Sequence, residues 1–428
     1  MSKEIDATAA TASLSKNQII ENFGVSELNQ EIIDRFYKLT NSKPHPLLSR
    51  FLYFSHRDFD LFLDAFEQGR PVYLYTGRGP SSAALHLGHM IPFYFCRYLQ
   101  QAFGCPLVIQ ITDDEKLLRD PTLSFEQIHE FALSNIRDIL ACKFDQERTF
   151  IYLNTAYIGS VYKFSCVFER AITLSQLRGA FGFSDVQNVG YVSFPAKQMQ
   201  PAFSQAFPHI FTEAYCKAWR AARTDVAIAP LAQKEGETKK QFEQRRLSQQ
   251  GQTPIELTPF CLIPCGYEQE PYWRVARDIA PRLGLQKPAT IYNSFIPALQ
   301  GVNSKMSASD PQSAVYMDDS AAQIKKKINK FAFSGGRATV EEQREFGANL
   351  AIDVSVQYLE VFMDDQARLD SIKARYQKGE MLTGEVKAEL IALVQGIVGE
   401  HQRVKEQISD DMVRAQVYGW GRRLWGEK

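Results

Sequence analysis

Apolar residues recur along this chain with two different periods. In "KNQIIENFG" and "LNQEIIDRFYKLT" they lie three and four apart, the spacing of a helix with one buried face. The small, polar residues before them are expected to fray. After the "KPHP" turn, "FSHRDFDLFLDAFEQGRP" is again helical and is closed by Gly69 and Pro71. The period then shortens. "VYLYTG", "CPLVIQITD" (Cys105 to Asp113) and "FCLIPCG" (Phe260 to Gly266) are short continuous apolar runs of the kind that fit strands buried on both faces, and "PATIYNSFIPAL" supplies another. The first two flank a glycine-rich turn and the helical "MIPFYFCRYLQQAFG". That order is a βαβ unit, which implies a parallel sheet covered by helices.

Residues 120–258 carry helical signals and read as a connecting insertion. Within it, about 212–255 reads as an added surface segment, because "QKEGETKKQFEQRRLSQQGQ" is charged and glutamine-rich with almost no apolar face. From about Ser320 the pattern is helical to the end. The expected fold is therefore α/β, with a helical appendage over 1–70, a parallel-sheet domain over 71–319 and an all-helical domain over 320–428. The last helix of that domain can pack back on the sheet domain.

Composition narrows the function classes. With 428 residues the chain can build two or three domains, and its 49 basic residues balance 49 acidic ones, so any nucleic-acid contact must be a local patch. Seven cysteines without a C-x-x-C pair argue against a disulfide framework or a zinc site and for a reducing compartment. "MSKEIDATAATASLSK" lacks an apolar signal core, and no segment approaches the roughly 20 apolar residues of a membrane span. The expectation is a cytoplasmic chain with no membrane partner.

The chemistry centres on "YLYTGRGPSSAALHLGHMIPF", Tyr73 to Phe93. Its turn lacks the third glycine of a dinucleotide fingerprint, and no Walker A string follows a strand, yet a helix N-terminus behind a glycine turn still offers free N–H groups to phosphate. His86 and His89 lie one helical turn apart with Gly88 between them. Taken alone, H-x-G-H is no more than a surface pair of histidines. A second string, "GVNSKMSASDP", reads as a loop carrying one lysine among small residues, a point charge able to move onto a phosphate chain or simply an exposed side chain.

Together the two strings resemble the HIGH and KMSKS signatures of class I aminoacyl-tRNA synthetases, in the correct order. "YLYTGRGPSS", "LVIQITDDEK", "FGFSD", "SFPAKQ", "CLIPCGYEQEPYWRVARD", "FIPALQG" and "AFSGGR" resemble more closely the eukaryotic and archaeal type of tryptophanyl-tRNA synthetase, and the resemblance runs from about Ile19 to Gln407. It implies a Rossmann-type catalytic domain, a helical anticodon-binding domain and a homodimer. It implies activation of L-tryptophan by ATP, with Mg²⁺ carried by the triphosphate and no metal ligand from the protein, followed by transfer to the 2′-hydroxyl of the terminal adenosine of tRNA(Trp). By the same resemblance His86, His89, Lys305 and Lys116 are catalytic. Thr76, Gly77, Arg78, Gly79, Gly88, Met306, Ser307 and Ser309 bind ATP. Tyr75 and Gln110 meet the indole N–H, Glu115, Gln198 and Gln269 the α-ammonium, Cys265 belongs to the tryptophan site, and Arg337 touches tRNA.

The chain departs from the pattern at several places. Leu87 replaces isoleucine in the first signature, a volume-conserving change. Ala308 replaces the second lysine of the other, leaving Lys305 as its only ammonium. The stretch from Phe211 to Glu256 lengthens a connection that such enzymes make more tightly, and Ala338 stands where an aspartate near the anticodon is common. Two other readings stay open on the sequence: a tyrosyl-tRNA synthetase, which shares both signatures, and an inactive paralogue serving as an RNA-binding module.

Overall fold

The computed structural model describes residues 15–223, 258–294, 296–306 and 310–418, with backbone alone for 302–305. The charged stretch 233–252, Ser307, Ser309 and the first residues of the chain lie outside the described residues.

Among the described residues, seven strands form the main sheet: β1 (Ser26–Glu27), β2 (Tyr53–Arg57), β3 (Val72–Arg78), β4 (Leu107–Ile111), β5 (Thr149–Leu153), β6 (Phe260–Gly266) and β7 (Ala289–Asn293). Their order is β1-β2-β7-β6-β3-β4-β5. The five strands from β7 to β5 are parallel, and β2 and β1 add antiparallel at one edge. From β3 the chain moves outward through β4 to β5, then returns to the other side of β3 with β6 and β7. This is doubly wound Rossmann topology, and its winding reverses between β3 and β6.

The continuous apolar runs follow from this arrangement, since every residue of β4 and β5 is buried. Alternate residues feed two cores. Val72, Leu74, Leu107 and Ile109 face the helices Phe59–Glu67, Leu87–Phe103 and Phe125–Leu140, whereas Tyr73, Tyr75, Val108 and Ile263 face Asn154–Arg170, Val189–Met199 and Glu270–Ile279. Strands β2 and β5 are not evident as strands in the sequence pattern. Each has five residues and runs almost directly into a longer helix, Phe59–Glu67 and Asn154–Arg170, whose period masks it. The region 120–258 is thus not wholly helical, because β5 within it completes the sheet.

The start of the 212–255 segment is anchored. Its helix Glu213–Ala221 buries Tyr215, Cys216 and Trp219, Trp219 Nε1 donates to the Arg70 carbonyl at 3.1 Å, and the Arg223 guanidinium lies 3.5 Å from a Trp219 ring centroid. A two-stranded ribbon of β8 (Pro297–Ala298) and β9 (Gly301–Lys305) precedes the C-terminal helices, and residues 320–418 contain no strand. Among the described residues no helix is long and apolar enough to cross a membrane.

The C-terminal helices share the first core, to which Ile324, Ile328, Leu359, Leu390 and Val398 belong together with the inner face of the sheet. A polar clamp adds to it. Asp138, fully buried on helix Phe125–Leu140, takes His401 Nε2 at 3.1 Å and Lys405 Nζ at 2.7 Å from the long helix Thr383–Lys405. The final helix, Asp410–Tyr418, lays Val413 and Val417 against β5 and Phe125–Leu140, and Asp410 pairs with Arg137. Nine residues make a marginal helix alone, so this docking, roughly 1.5–3 kcal/mol for each fully buried valine, is what holds it.

The clamp is testable. Lys405→Met leaves a buried carboxylate with one weaker partner and is expected to cost about 3 kcal/mol, whereas Asp138→Leu combined with Lys405→Met removes both charges and costs less than either single change. Urea unfolding of the three variants checks this ordering.

Candidate active site

β3 and β6 pair only through Val72–Leu74 and Phe260–Leu262. Beyond that, β3 stays with β4 as far as Arg78, and β6 stays with β7 as far as Gly266. The sheet therefore splits at its switch point, where doubly wound folds bind ligands. A cavity of about 450 Å³ fills the split. The loop after β3 passes so close to Glu115 that a Cβ on Gly79 would sit 2.6 Å from its Oε2. A Cβ on Gly88, in the first turn of helix Leu87–Phe103, would likewise meet Met306 Sδ at 2.9 Å, so a larger residue at either position would displace a side chain of the cavity wall.

The N-terminus of helix Leu87–Phe103 faces the cavity, capped by the two histidines of H-x-G-H. His89 N–H donates to His86 Nδ1 at 3.3 Å and His86 N–H donates to His89 Nδ1 at 3.4 Å, with the rings stacked 3.4 Å apart at 19°. A neutral imidazole that accepts at Nδ1 carries its proton on Nε2, so each ring presents a donor there. Burial, reinforced by the nearby Arg78 charge, lowers the His86 pKa to about 3 and keeps the ring neutral. Arg78, the last residue of β3, is lowered to about 10 by burial, against a smaller opposite effect of Glu115. Its Nε donates to Asn135 Oδ1 at 3.1 Å, while the buried Nη2 has no protein partner. A cation so placed is matched to an anion arriving in the cavity.

The other end is apolar with a fixed polar pair. Phe194, Ile263, Tyr272 and Trp273 line it, and Trp273 stands edge-on to Tyr75 at 5.7 Å. The single Tyr75 hydroxyl proton lies between two acceptors, Gln110 Oε1 at 2.6 Å and the Gln198 carbonyl at 3.0 Å. Gln110 Nε2 in turn donates to Asn154 Oδ1 at 2.8 Å and to the Lys197 carbonyl at 3.0 Å. These bonds settle which way the Gln110 amide points. They also consume the Tyr75 proton internally, so its oxygen offers lone pairs only. Glu115 accepts from Thr112 Oγ1 and Lys116 Nζ, both at 3.3 Å.

Most of the residues singled out from the sequence meet in this one place. Tyr75, Thr76, Gly77, Arg78, Gly79, His86, Gly88, His89, Glu115, Lys116, Gln198, Cys265, Gln269 and Met306 all line the cavity. Gln110 does not: it stands behind Tyr75, beside a small void of about 20 Å³. Arg337 lies in the C-terminal helical unit, its Nε on the Gly347 carbonyl at 3.0 Å and its guanidinium 5.9 Å from the Phe346 ring centroid. The Lys305 backbone pairs with Pro297 in the small ribbon. Sequence reasoning missed Trp273, Asn154 and Asn135. For Asn135 a signal existed, since it falls on the same buried stripe as Ile128, Ala132, Ile136 and Ile139, where an amide has to be satisfied internally.

A doubly wound sheet whose switch-point crevice faces a histidine-capped helix on one side and a lysine-bearing ribbon on the other defines a nucleotide-using enzyme of the Rossmann class. The family model for tRNA synthetases class I (W and Y) matches residues 67–193 and 253–399, and the chain belongs to that family. It is 43% identical over 411 residues to the cytoplasmic tryptophan--tRNA ligase of Oryctolagus cuniculus, covering 95% of this chain and 77% of that one. To the cytoplasmic tryptophan--tRNA ligase of Arabidopsis thaliana it is 44% identical over 400 residues, 93% of this chain and 89% of the other. The solved structure of tryptophanyl-tRNA synthetase from Giardia lamblia superposes with a TM-score of 0.80 at 44% identity, covering 97% and 98% of the two chains.

The neutral His86 has a consequence for stability. The unfolded chain takes up a proton near pH 6.5 that the folded protein refuses down to about 3, so stability falls as pH is lowered through that window. His86→Asn keeps a capping oxygen without the titration, and its thermal midpoint should fall less steeply between pH 6.5 and 4 than that of the wild type. His45, lowered to about 4 by burial, contributes equally to both proteins.

Proposed function

We propose that this chain is a tryptophan--tRNA ligase of the cytoplasm. The tryptophan carboxylate attacks the α-phosphate of ATP, pyrophosphate leaves, and the acyl group passes to the 2′-hydroxyl of the terminal adenosine of tRNA(Trp). The observation that carries this reading is a single crevice with two chemically distinct ends. At one, Tyr75 and Gln110 form a locked acceptor pair among aromatic walls. At the other, the stacked His86 and His89 rings and the Arg78 guanidinium line the same wall.

An indole N–H is a donor with no acceptor capacity, and a buried donor left unpaired costs on the order of 1–3 kcal/mol. A lone-pair-only Tyr75 oxygen backed by Gln110 answers that need, while Glu115 supplies countercharge for the α-ammonium, with Gln198, Gln269 and Cys265 shaping the remainder. ATP enters as its magnesium complex. Gly88 lets the adenosine lie against the helix N-terminus beside Met306, and the backbone of Thr76, Gly77 and Gly79 follows the phosphates. His86, His89 and Lys116 then stabilise charge as it develops on the phosphates, and Lys305 is brought in by the loop that carries Ser307 and Ser309. Arg337 and the C-terminal helices receive tRNA. The exposed apolar side chains Tyr162, Val167 and Leu174, on and just after helix Asn154–Arg170, support a homodimer through that surface.

ATP–pyrophosphate exchange tests the assignment: tryptophan supports exchange and tyrosine does not. Exchange driven by tyrosine would replace this reading with the other amino acid of the family. Lys305→Ala should slow adenylate formation in a single turnover about a hundredfold with tryptophan affinity retained, because the charge acts as the triphosphate reorganises. Gln110→Ala should cut the preference for tryptophan over its benzothiophene analogue, which lacks the N–H, by about tenfold, read as the ratio of kcat/KM values.

A further inference from the structure

We infer that Asn135 is a positioning residue for the phosphate end of the nucleotide, acting through Arg78. The inference rests on the reading of the cavity as the ATP site and adds a residue that lies outside both signatures.

Asn135 is completely buried on helix Phe125–Leu140, and its carboxamide is fully used. Oδ1 accepts from Arg78 Nε at 3.1 Å, and Nδ2 donates to the carbonyls of Ser82 at 2.8 Å and Ala83 at 3.1 Å. Flipping the amide would set donors against a donor and an acceptor against carbonyls, so one orientation is stable. Ser134 Oγ adds a bond to the Ala83 carbonyl at 2.9 Å. The segment so held runs directly into Leu85 and Leu87, whose backbones are bonded to Met317 and Val315 on either side of the His86 cap. One side chain therefore sets two positions in the cavity wall: the guanidinium at the end of β3 and the approach to the histidine-capped helix.

The chemistry of the clip matters as much as its place. A carboxylate would be the obvious partner for a buried guanidinium, and it would neutralise the charge inside the protein. A neutral amide holds the Nε edge yet leaves the guanidinium's full positive charge in the cavity wall for an anion. The other charged or titratable groups coupled to Arg78 are Glu115 and His86. Glu115 already accepts from Lys116 and Thr112, and His86 is neutral. The ligand class that fits is a di- or triphosphate.

The test uses the full chain with inorganic tripolyphosphate as the probe. For the wild type, Asn135→Ala, Asn135→Asp, Arg78→Ala and the Arg78→Ala/Asn135→Ala double variant, the measurements are KM for ATP and kcat in pyrophosphate exchange, inhibition by tripolyphosphate, and tryptophan affinity by fluorescence. Asn135→Ala is expected to raise KM for ATP and weaken tripolyphosphate inhibition at least fivefold, with tryptophan affinity within twofold of wild type. Asn135→Asp, which keeps the acceptor and the volume, is expected to weaken tripolyphosphate inhibition at least as much. The double variant should be no worse than Arg78→Ala alone. Losses that multiply in the double variant, an Asn135→Asp variant that binds tripolyphosphate like wild type, or equal losses for ATP and tryptophan would each overturn the role of Asn135. An Arg78→Ala variant with unchanged ATP and tripolyphosphate behaviour would instead overturn the phosphate reading of the cavity. Should Asn135→Ala not fold, the Asn135→Asp result decides.

Discussion

Everything about this site depends on two adjacent parallel strands that part after three residue pairs. Had β3 and β6 stayed in register to their ends, their backbone groups would have satisfied one another and the sheet would have closed over the crevice. Because each strand remains bonded to its outer neighbour, the split adds little strain, and it delivers the last residues of β3 and β6 as two walls. The rest of the site is built on those walls. Tyr75 and Arg78 are three residues apart on one strand, yet one serves the apolar end of the cavity and the other the charged end.

The two ends are organised by opposite uses of hydrogen bonding. At the apolar end the Tyr75 proton and both N–H groups of Gln110 are spent inside the protein, leaving acceptors. At the charged end the two stacked histidine rings and a guanidinium held by a neutral amide line the wall, and the Arg78 Nη2 has no protein partner. A donor-only ring and a phosphate chain fit such a polarity in one arrangement only, the ring at the apolar end and the chain at the charged end. Fixed dipoles of this kind need no reorganisation when charge develops, which is why enclosure and internal hydrogen bonding count here alongside the reacting groups.

The architecture was legible in the sequence where burial leaves a long or unmixed signal. β3, β4 and β6 stand out as continuous apolar runs, and the helical pattern after residue 320 matches the described residues there. β2 and β5 were hidden because five residues are too few to compete with the helical period that follows. "HLGH" and "KMSAS" are specific in combination, and most of the residues singled out with them line one cavity. What no short string encodes is the third dimension. Gln110 is expected from the resemblance at the indole N–H, and the structure places it behind Tyr75. Asn135 sits on an amphipathic helix like many others, and only the 57 residues that folding brings together reveal that it meets Arg78.

The clamp on Asp138 bears on how such a chain can change over generations. A carboxylate at the bottom of the helix that also carries Asn135 is paired with Lys405 and bonded to His401, 263 positions away, both on a helix of the other lobe. Neither lobe is then a free-standing module. A shuffled or truncated descendant would inherit an uncompensated buried charge, and drift at either position has to be answered at the other. The shared core and this buried pair together tie the two halves of this protein into a single heritable unit.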